Sequence, residues 1–158
     1  MLANTNTTSG HTATSVTEFL GEDHRRLDAI LADVKRCLSA GELERAASRF
    51  AEFRAGLEHH IVAEEEILFP TFESLTGYTG GGPTEVMRQE HVELRRLMAE
   101  VAASLENGDE VLAPPLAALT ARIYAHNGKE ERILYPATDR AAHADSSLED
   151  LVRRLQAF

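Results

Sequence analysis

His60-Ile61-Val62-Ala63-Glu64-Glu65-Glu66-Ile67-Leu68-Phe69-Pro70 and His126-Asn127-Gly128-Lys129-Glu130-Glu131-Arg132-Ile133-Leu134-Tyr135-Pro136 are two versions of one phrase. Each sets a histidine four residues before a glutamate and closes on an aromatic residue and a proline. They are offset by 66 residues (126 − 60), and His24 and His91 repeat at 67 (91 − 24). The order His, His-x-x-x-Glu, His, His-x-x-x-Glu therefore occurs in tandem. This is the layout of a two-metal site built from two copies of a helical hairpin.

Working outward, the flanking residues have helical periodicity. Ser15-Val16-Thr17-Glu18 reads as a capping box opening a helix to about Ser39, with Val16, Leu20, Leu27, Ile30, Leu31 and Val34 on one stripe. His24 falls inside that stripe. A second helix from near Glu42 carries Ala46, Phe50, Phe53 and Leu57, and its register continues through His60 and Glu64. Pro70 is expected to kink or thin its end. Thr76–Gly82 separates the two halves, and Pro83 suits the first turn of a third helix bearing Met87, His91, Leu94, Met98 and Val101. Asn107-Gly108-Asp109 ends that helix. Pro114-Pro115 fits only the opening turn of the fourth helix, where Leu116, Leu119 and Ile123 lead to His126 and Glu130. Ser146–Glu149 reads as the cap of a short fifth helix lying across the outside. The expected fold is all-α: an up-down-up-down four-helix bundle with a short C-terminal fifth helix, a single domain over 15–158 preceded by a disordered polar tail, 1–14.

Composition narrows the function classes. The chain has 158 residues, 43% hydrophobic and 27% charged, with a formal net charge of −10. That charge speaks against nucleic acid and against an anionic membrane surface. No apolar run approaches the roughly 20 residues of a membrane span, and Met1–Thr14 lacks the basic start and apolar stretch of a secretory signal. Cys37 stands alone, which removes disulfides and thiolate clusters and suggests a reducing cytoplasm.

Residues i and i+4 of a helix share a face. His60 with Glu64, and His126 with Glu130, can each offer a nitrogen and a carboxylate to one point. All six candidates, His24, His60, Glu64, His91, His126 and Glu130, lie on core stripes. Buried carboxylates cost several kcal/mol unless compensated, and no Lys or Arg shares those stripes in adjacent register. Metal ions are the simplest compensation. Imidazole plus carboxylate without thiolate suits iron, manganese or zinc. Other residues carry blander readings. His59 is exposed or an outer partner, with a fifth-ligand role as the alternative. Glu65, Glu66 and Glu131 form solvated faces, Tyr124 packs in the core, and Phe69 and Tyr135 plug the bundle end. His11 and His143 carry no signal.

At these residues, over Ser15–Pro136, the chain resembles the hemerythrin family, and within it the hemerythrin-like HHE cation-binding domains. The resemblance implies two iron ions joined by an oxo or hydroxo bridge, with zinc or manganese as alternatives. His24 and His60 would bind one iron and His91 and His126 the other, with Glu64 and Glu130 bridging. It also implies a small ligand (dioxygen, peroxide or nitric oxide), an unnamed redox partner, and no catalytic general base. Oxygen-carrying members place a fifth histidine four residues after the third-helix histidine; here that position is Arg95. Six-coordinate irons would then keep one open position each. The set looks more like members that repair iron centres under nitrosative stress than like oxygen carriers. A non-enzymatic iron or oxygen sensor is the alternative, and a di-zinc or di-manganese hydrolase a third possibility.

Overall fold

The computed structural model describes residues 13–78, 80–108 and 113–158. The expected tail up to residue 12, with His11, lies outside the described residues, as does Asp109. All regular structure among the described residues is helical. Helix α1 is Val16–Ser39. Rod α2 runs through Leu43–Ala63, a π-helical turn at Glu64–Leu68, and Phe69–Thr76. Helix α3 is Pro83–Asn107. Rod α4 repeats the pattern of α2, with Ala113–Lys129, a π-helical turn at Glu130–Leu134, and Tyr135–Ala144. Helix α5 is Leu148–Ala157. Helix α1 packs on α2, α2 on α3, α3 on α4, and the last segment of α4 returns to α1, which makes the up-down-up-down bundle.

Local chemistry sets the ends. Ser15 Oγ accepts the Glu18 N–H at 3.0 Å, half of the expected box. The Glu18 carboxylate takes the Thr14 N–H instead of that of Ser15. Asp139 on α4 accepts the N–H groups of Val16 (2.7 Å) and Thr17 (3.1 Å) and the Thr17 hydroxyl (2.6 Å). A carboxylate there meets the positive end of the α1 dipole and ties the start of α1 to the last segment of α4. Gly77 (φ 74°) and Gly108 (φ 65°) close α2 and α3 in the left-handed conformation that glycine adopts without penalty. The expected Ser146–Glu149 cap is not formed: Ser147 makes no side-chain cap bond. Its backbone is not extended (φ −109°, ψ 2°), and its hydroxyl faces back to the Ala142 carbonyl.

Pro70, expected to kink or thin the end of its helix, and Pro136 at the matching place both sit inside continuous rods. Each follows a π turn, in which Phe69 N–H bonds to the Glu64 carbonyl and Tyr135 N–H to that of Glu130. Proline donates no bond and its ring crowds the carbonyl four residues back, so a widened turn accommodates it. The widening brings residue i+5 onto the face of residue i, setting Phe69 beside Glu64 and Tyr135 beside Glu130.

Two apolar clusters sandwich the polar layer. One holds Leu27, Ile30, Phe50, Phe53, Leu57, Leu94, Met98 and Leu119. The other holds Val16, Leu20, Ile67, Leu68, Phe69, Met87 and Tyr135. Helix α5 lies on the bundle with its charged face exposed. Its Leu151, Val152 and Leu155 are buried in the second cluster and close that end of the bundle. Each such side chain contributes about 1.5–3 kcal/mol on leaving water. Tyr124, expected in the core, is 79% exposed.

Candidate metal centre

The six repeated residues converge between the clusters, and all six are buried. His24 Nε2 and His60 Nε2 face each other at 3.1 Å, and His91 Nε2 and His126 Nε2 at 3.2 Å. Each glutamate spans the two pairs. Glu64 places Oε1 at 3.5 Å from His60 Nε2 and Oε2 at 3.3 Å from His91 Nε2. Glu130 places Oε2 at 3.4 Å from His24 Nε2 and Oε1 at 3.1 Å from His126 Nε2. At the His91–His126 pair both nitrogens and one oxygen of each glutamate lie within 4.8 Å of one another; at the His24–His60 pair Glu130 joins the two nitrogens in the same way, and Glu64 Oε1 stands beside His60.

Every imidazole is oriented from behind by a second carboxylate. His24 Nδ1 meets Glu131 Oε1 at 2.8 Å, and His60 Nδ1 meets Asp23 Oδ2 at 2.9 Å. His91 Nδ1 meets Glu65 Oε1 at 2.8 Å, and His126 Nδ1 meets Glu90 Oε2 at 2.9 Å. A carboxylate fixes the proton on Nδ1 and turns the Nε2 lone pair inward, the usual arrangement behind a metal-binding histidine. This corrects the solvated-face reading of Glu65, which is only partly exposed; Glu66 and Glu131 are exposed as expected, and Glu131 reaches His24 from that face. The sequence does hold a signal for all four. Asp23 and Glu90 each precede a repeated histidine, and Glu65 and Glu131 each follow a repeated glutamate, so the repeat extends to the flanks. The reach is across helices, which is why it is invisible within one. Cations back three of these carboxylates: Arg26 on Asp23, Arg95 on Glu65, and Lys129 on Glu90.

Arg95, at the position of the absent fifth histidine, points away from the site. It donates from Nε and Nη2 to Glu58 at 3.0 and 2.8 Å and from Nη1 to Glu65 at 3.1 Å. His59 is exposed and stacks on Phe158 at 5.0 Å, so it reaches neither point. Phe69, expected to plug the bundle end, is fully buried and stacks on His91 at 5.6 Å. Tyr135 does more than plug. Its hydroxyl donates to Glu64 Oε1 at 2.5 Å and lies 3.1 Å from Glu130 Oε2, inside the polar layer.

The electrostatics fit a cation. Burial works against charge on His60, but Glu64, Asp23 and Glu130 outweigh it and raise its pKa to about 10. The same balance, dominated by Glu130 and Glu90, raises His126 to about 8. Burial would push Glu64 up, yet His60 and His91 hold it well below the usual carboxylate range. Burial and the two glutamates push the Tyr135 phenol well above its ordinary value. Protons on His60 and His126 thus supply positive charge at the two points where the nitrogens converge. A metal ion would supply it more completely, because Glu64 Oε2 and Glu130 Oε1 are buried with no hydrogen-bond partner. Cis donors on bonds of about 2.1 Å lie about 3.0 Å apart, close to the spacings observed. The residues therefore fit two imidazole–carboxylate metals, and thiolate metals are disfavoured.

Comparison with known proteins agrees. The family model described as hemerythrin HHE cation binding domain matches residues 15–138. An uncharacterized hemerythrin-like protein of Schizosaccharomyces pombe is 25% identical over 135 residues, covering 85% of this chain and 64% of that protein. The chain thus spans less than two thirds of that relative's length. No solved structure matches it significantly. Among the described residues, no helix is long and apolar enough to cross a membrane.

Proposed function

The chain belongs to the hemerythrin HHE cation-binding family, and from that premise we propose that it holds a non-haem di-iron centre that binds or reacts with dioxygen, peroxide or nitric oxide. His24 and His60 would hold one iron, His91 and His126 the other, with Glu64 and Glu130 bridging and an oxo or hydroxo group completing the link. One observation carries this reading: each glutamate directs one oxygen to each histidine pair.

When bound, a ferrous pair supplies electrons and open coordination positions to the small ligand. The chain's own residues do the rest. Four Nδ1–H groups held by carboxylates keep the Nε2 lone pairs aimed inward, which raises ligand basicity. Burial of all six donors excludes bulk water and strengthens each electrostatic contact. The absence of an imidazole at position 95 leaves the His91–His126 pair without a third nitrogen, which favours ligand chemistry in oxidative or nitrosative stress defence over reversible oxygen carriage. Anaerobic mixing of the iron(II)-loaded protein with nitric oxide, and separately with peroxide, followed by visible absorption, tests this. The expected result is a new spectrum within the mixing experiment for at least one of them. An iron-loaded protein inert to both, and to air, would refute it.

A second reading is a non-enzymatic sensor whose iron occupancy controls partner binding. Its support is that the ligands come from all four long helices, so metal binding is coupled to folding. Chelation that unfolds the bundle without any ligand turnover in the loaded protein would favour the sensor.

A further inference from the structure

The two halves of the bundle differ at one residue that touches the site. Phe69 and Tyr135 hold equivalent positions in the repeat, each ending a π turn through its backbone N–H. Both are fully buried, and each ring lies against a histidine: Phe69 against His91 at 5.6 Å, Tyr135 against His24 at 5.7 Å. Only tyrosine brings an oxygen. That oxygen is 3.3 Å from His24 Nε2, 3.3 Å from His60 Nε2, 2.5 Å from Glu64 Oε1 and 3.1 Å from Glu130 Oε2. These four atoms are the two nitrogens of the His24–His60 pair and the carboxylate oxygens that stand beside them. A fifth vertex of an octahedron is adjacent to four others, at about 3.0 Å for bonds of about 2.1 Å. The hydroxyl meets that condition for all four at once.

The opposite side shows the converse. Glu64 Oε2 and Glu130 Oε1, the oxygens directed at the His91–His126 pair, are the two carboxylate oxygens buried without a hydrogen-bond partner among the described residues. Phe69 offers them nothing, and Arg95 supplies no nitrogen there.

We propose that Tyr135 is a ligand of the metal held by His24 and His60, which makes the two metals inequivalent and puts the position open to a small ligand on the His91–His126 metal. On coordination the phenolic O–H bond is replaced by an oxygen–metal bond and the proton leaves to water. The inference rests on the two-iron reading above, and it revises the expectation of one open position per iron.

The test uses the full chain loaded with iron(III). Resonance Raman spectroscopy of the visible band should show tyrosinate ring modes, and azide should bind at one per chain. Tyr135→Phe should retain two irons, lose the tyrosinate modes and bind two azides. Phe69→Tyr should bring a second tyrosinate and abolish azide binding. Two irons per chain without tyrosinate modes in the unmodified protein would overturn this inference and leave the two-iron reading standing. Modes that persist in Tyr135→Phe would overturn it too, because the other two tyrosines, Tyr78 and Tyr124, are exposed. Should Tyr135→Phe fail to fold, the unmodified protein's spectrum decides alone. A protein that takes up no iron overturns both readings.

Discussion

Glu65 and Glu66 are neighbours of the same type, yet the structure gives them opposite roles, which makes Glu65→Ala an informative change. Glu65 Oε1 lies 2.8 Å from His91 Nδ1, and its carboxylate also takes Arg95 Nη1 at 3.1 Å. Removing it breaks one charge-assisted hydrogen bond to a buried imidazole, worth about 1.5–3 kcal/mol. That corresponds to roughly 10- to 100-fold in metal affinity, the scale on which outer partners of metal-binding histidines act. Glu65 is one-quarter exposed and water can replace part of the bond, so the lower half of that range is expected. Arg95 keeps Glu58, which limits collateral damage to the α2–α3 seam. The loss should fall on the metal held by His91 and His126. Competition with a chromophoric chelator should therefore strip one metal of the two about tenfold more readily, while the other resists. Glu65→Gln, which retains a neutral acceptor, should fall in between. Exposed Glu66→Ala serves as the control and should leave both metals in place. Equal retention in Glu65→Ala and Glu66→Ala would refute the assigned role of the outer carboxylates.

Further outcomes follow from the same geometry. His60 and His126 have pKa values raised to about 10 and about 8 in the absence of metal, so both must lose a proton when metal binds. Titration calorimetry in buffers of different ionisation enthalpy should show more protons released at pH 7 than at pH 9, where His126 is already neutral; equal release would contradict the assignment. For the metal-free protein the sign is fixed as well: a pKa raised above its unfolded value stabilises fully below about 6.5, and that contribution fades as pH rises through 8 and then 10. Urea midpoints measured across that window should fall. Asp139→Ala removes three hydrogen bonds from the start of α1 and should cost about 2 kcal/mol in denaturant unfolding without changing metal content. Gly56→Ala would put a Cβ 2.8 Å from Leu27 Cδ2 in the packed α1–α2 seam, and about 1–3 kcal/mol of destabilisation is expected. Gly128→Ala meets only the movable guanidinium of Arg132, so the gain in helix propensity of up to about 1 kcal/mol should prevail. Thermal midpoints shifting in the same direction for both glycine variants would contradict this packing.

The cluster of six candidate ligands was legible because burial and repetition reinforce one another. A histidine on an apolar stripe is ambiguous alone, but His24, His60, His91 and His126 recur with two glutamates at matched offsets. The outer carboxylates were hidden because each reaches to a histidine on another helix, Asp23 on α1 to His60 on α2, for example. Sequence spacing reports neighbours on one helix face and is silent across faces. Tyr135 was hidden for a related reason. In a regular α-helix, residue i+5 turns away from residue i, and only the π turn beginning at Glu130 brings the phenol back to its carboxylate. Pro136, which crowds the preceding turn, is the local cue for that widening. Tyr124 illustrates the converse: two residues before His126, it falls on the outer face of α4.

Iron content of the loaded protein, measured together with its magnetic coupling by Mössbauer spectroscopy, tests the shared-carboxylate site most directly. Two irons per chain, exchange-coupled into one diamagnetic ferric pair, are expected, and Glu64→Ala should lose the coupling along with metal. A single iron, or two that are magnetically independent, would contradict a centre in which Glu64 and Glu130 each hold both metals.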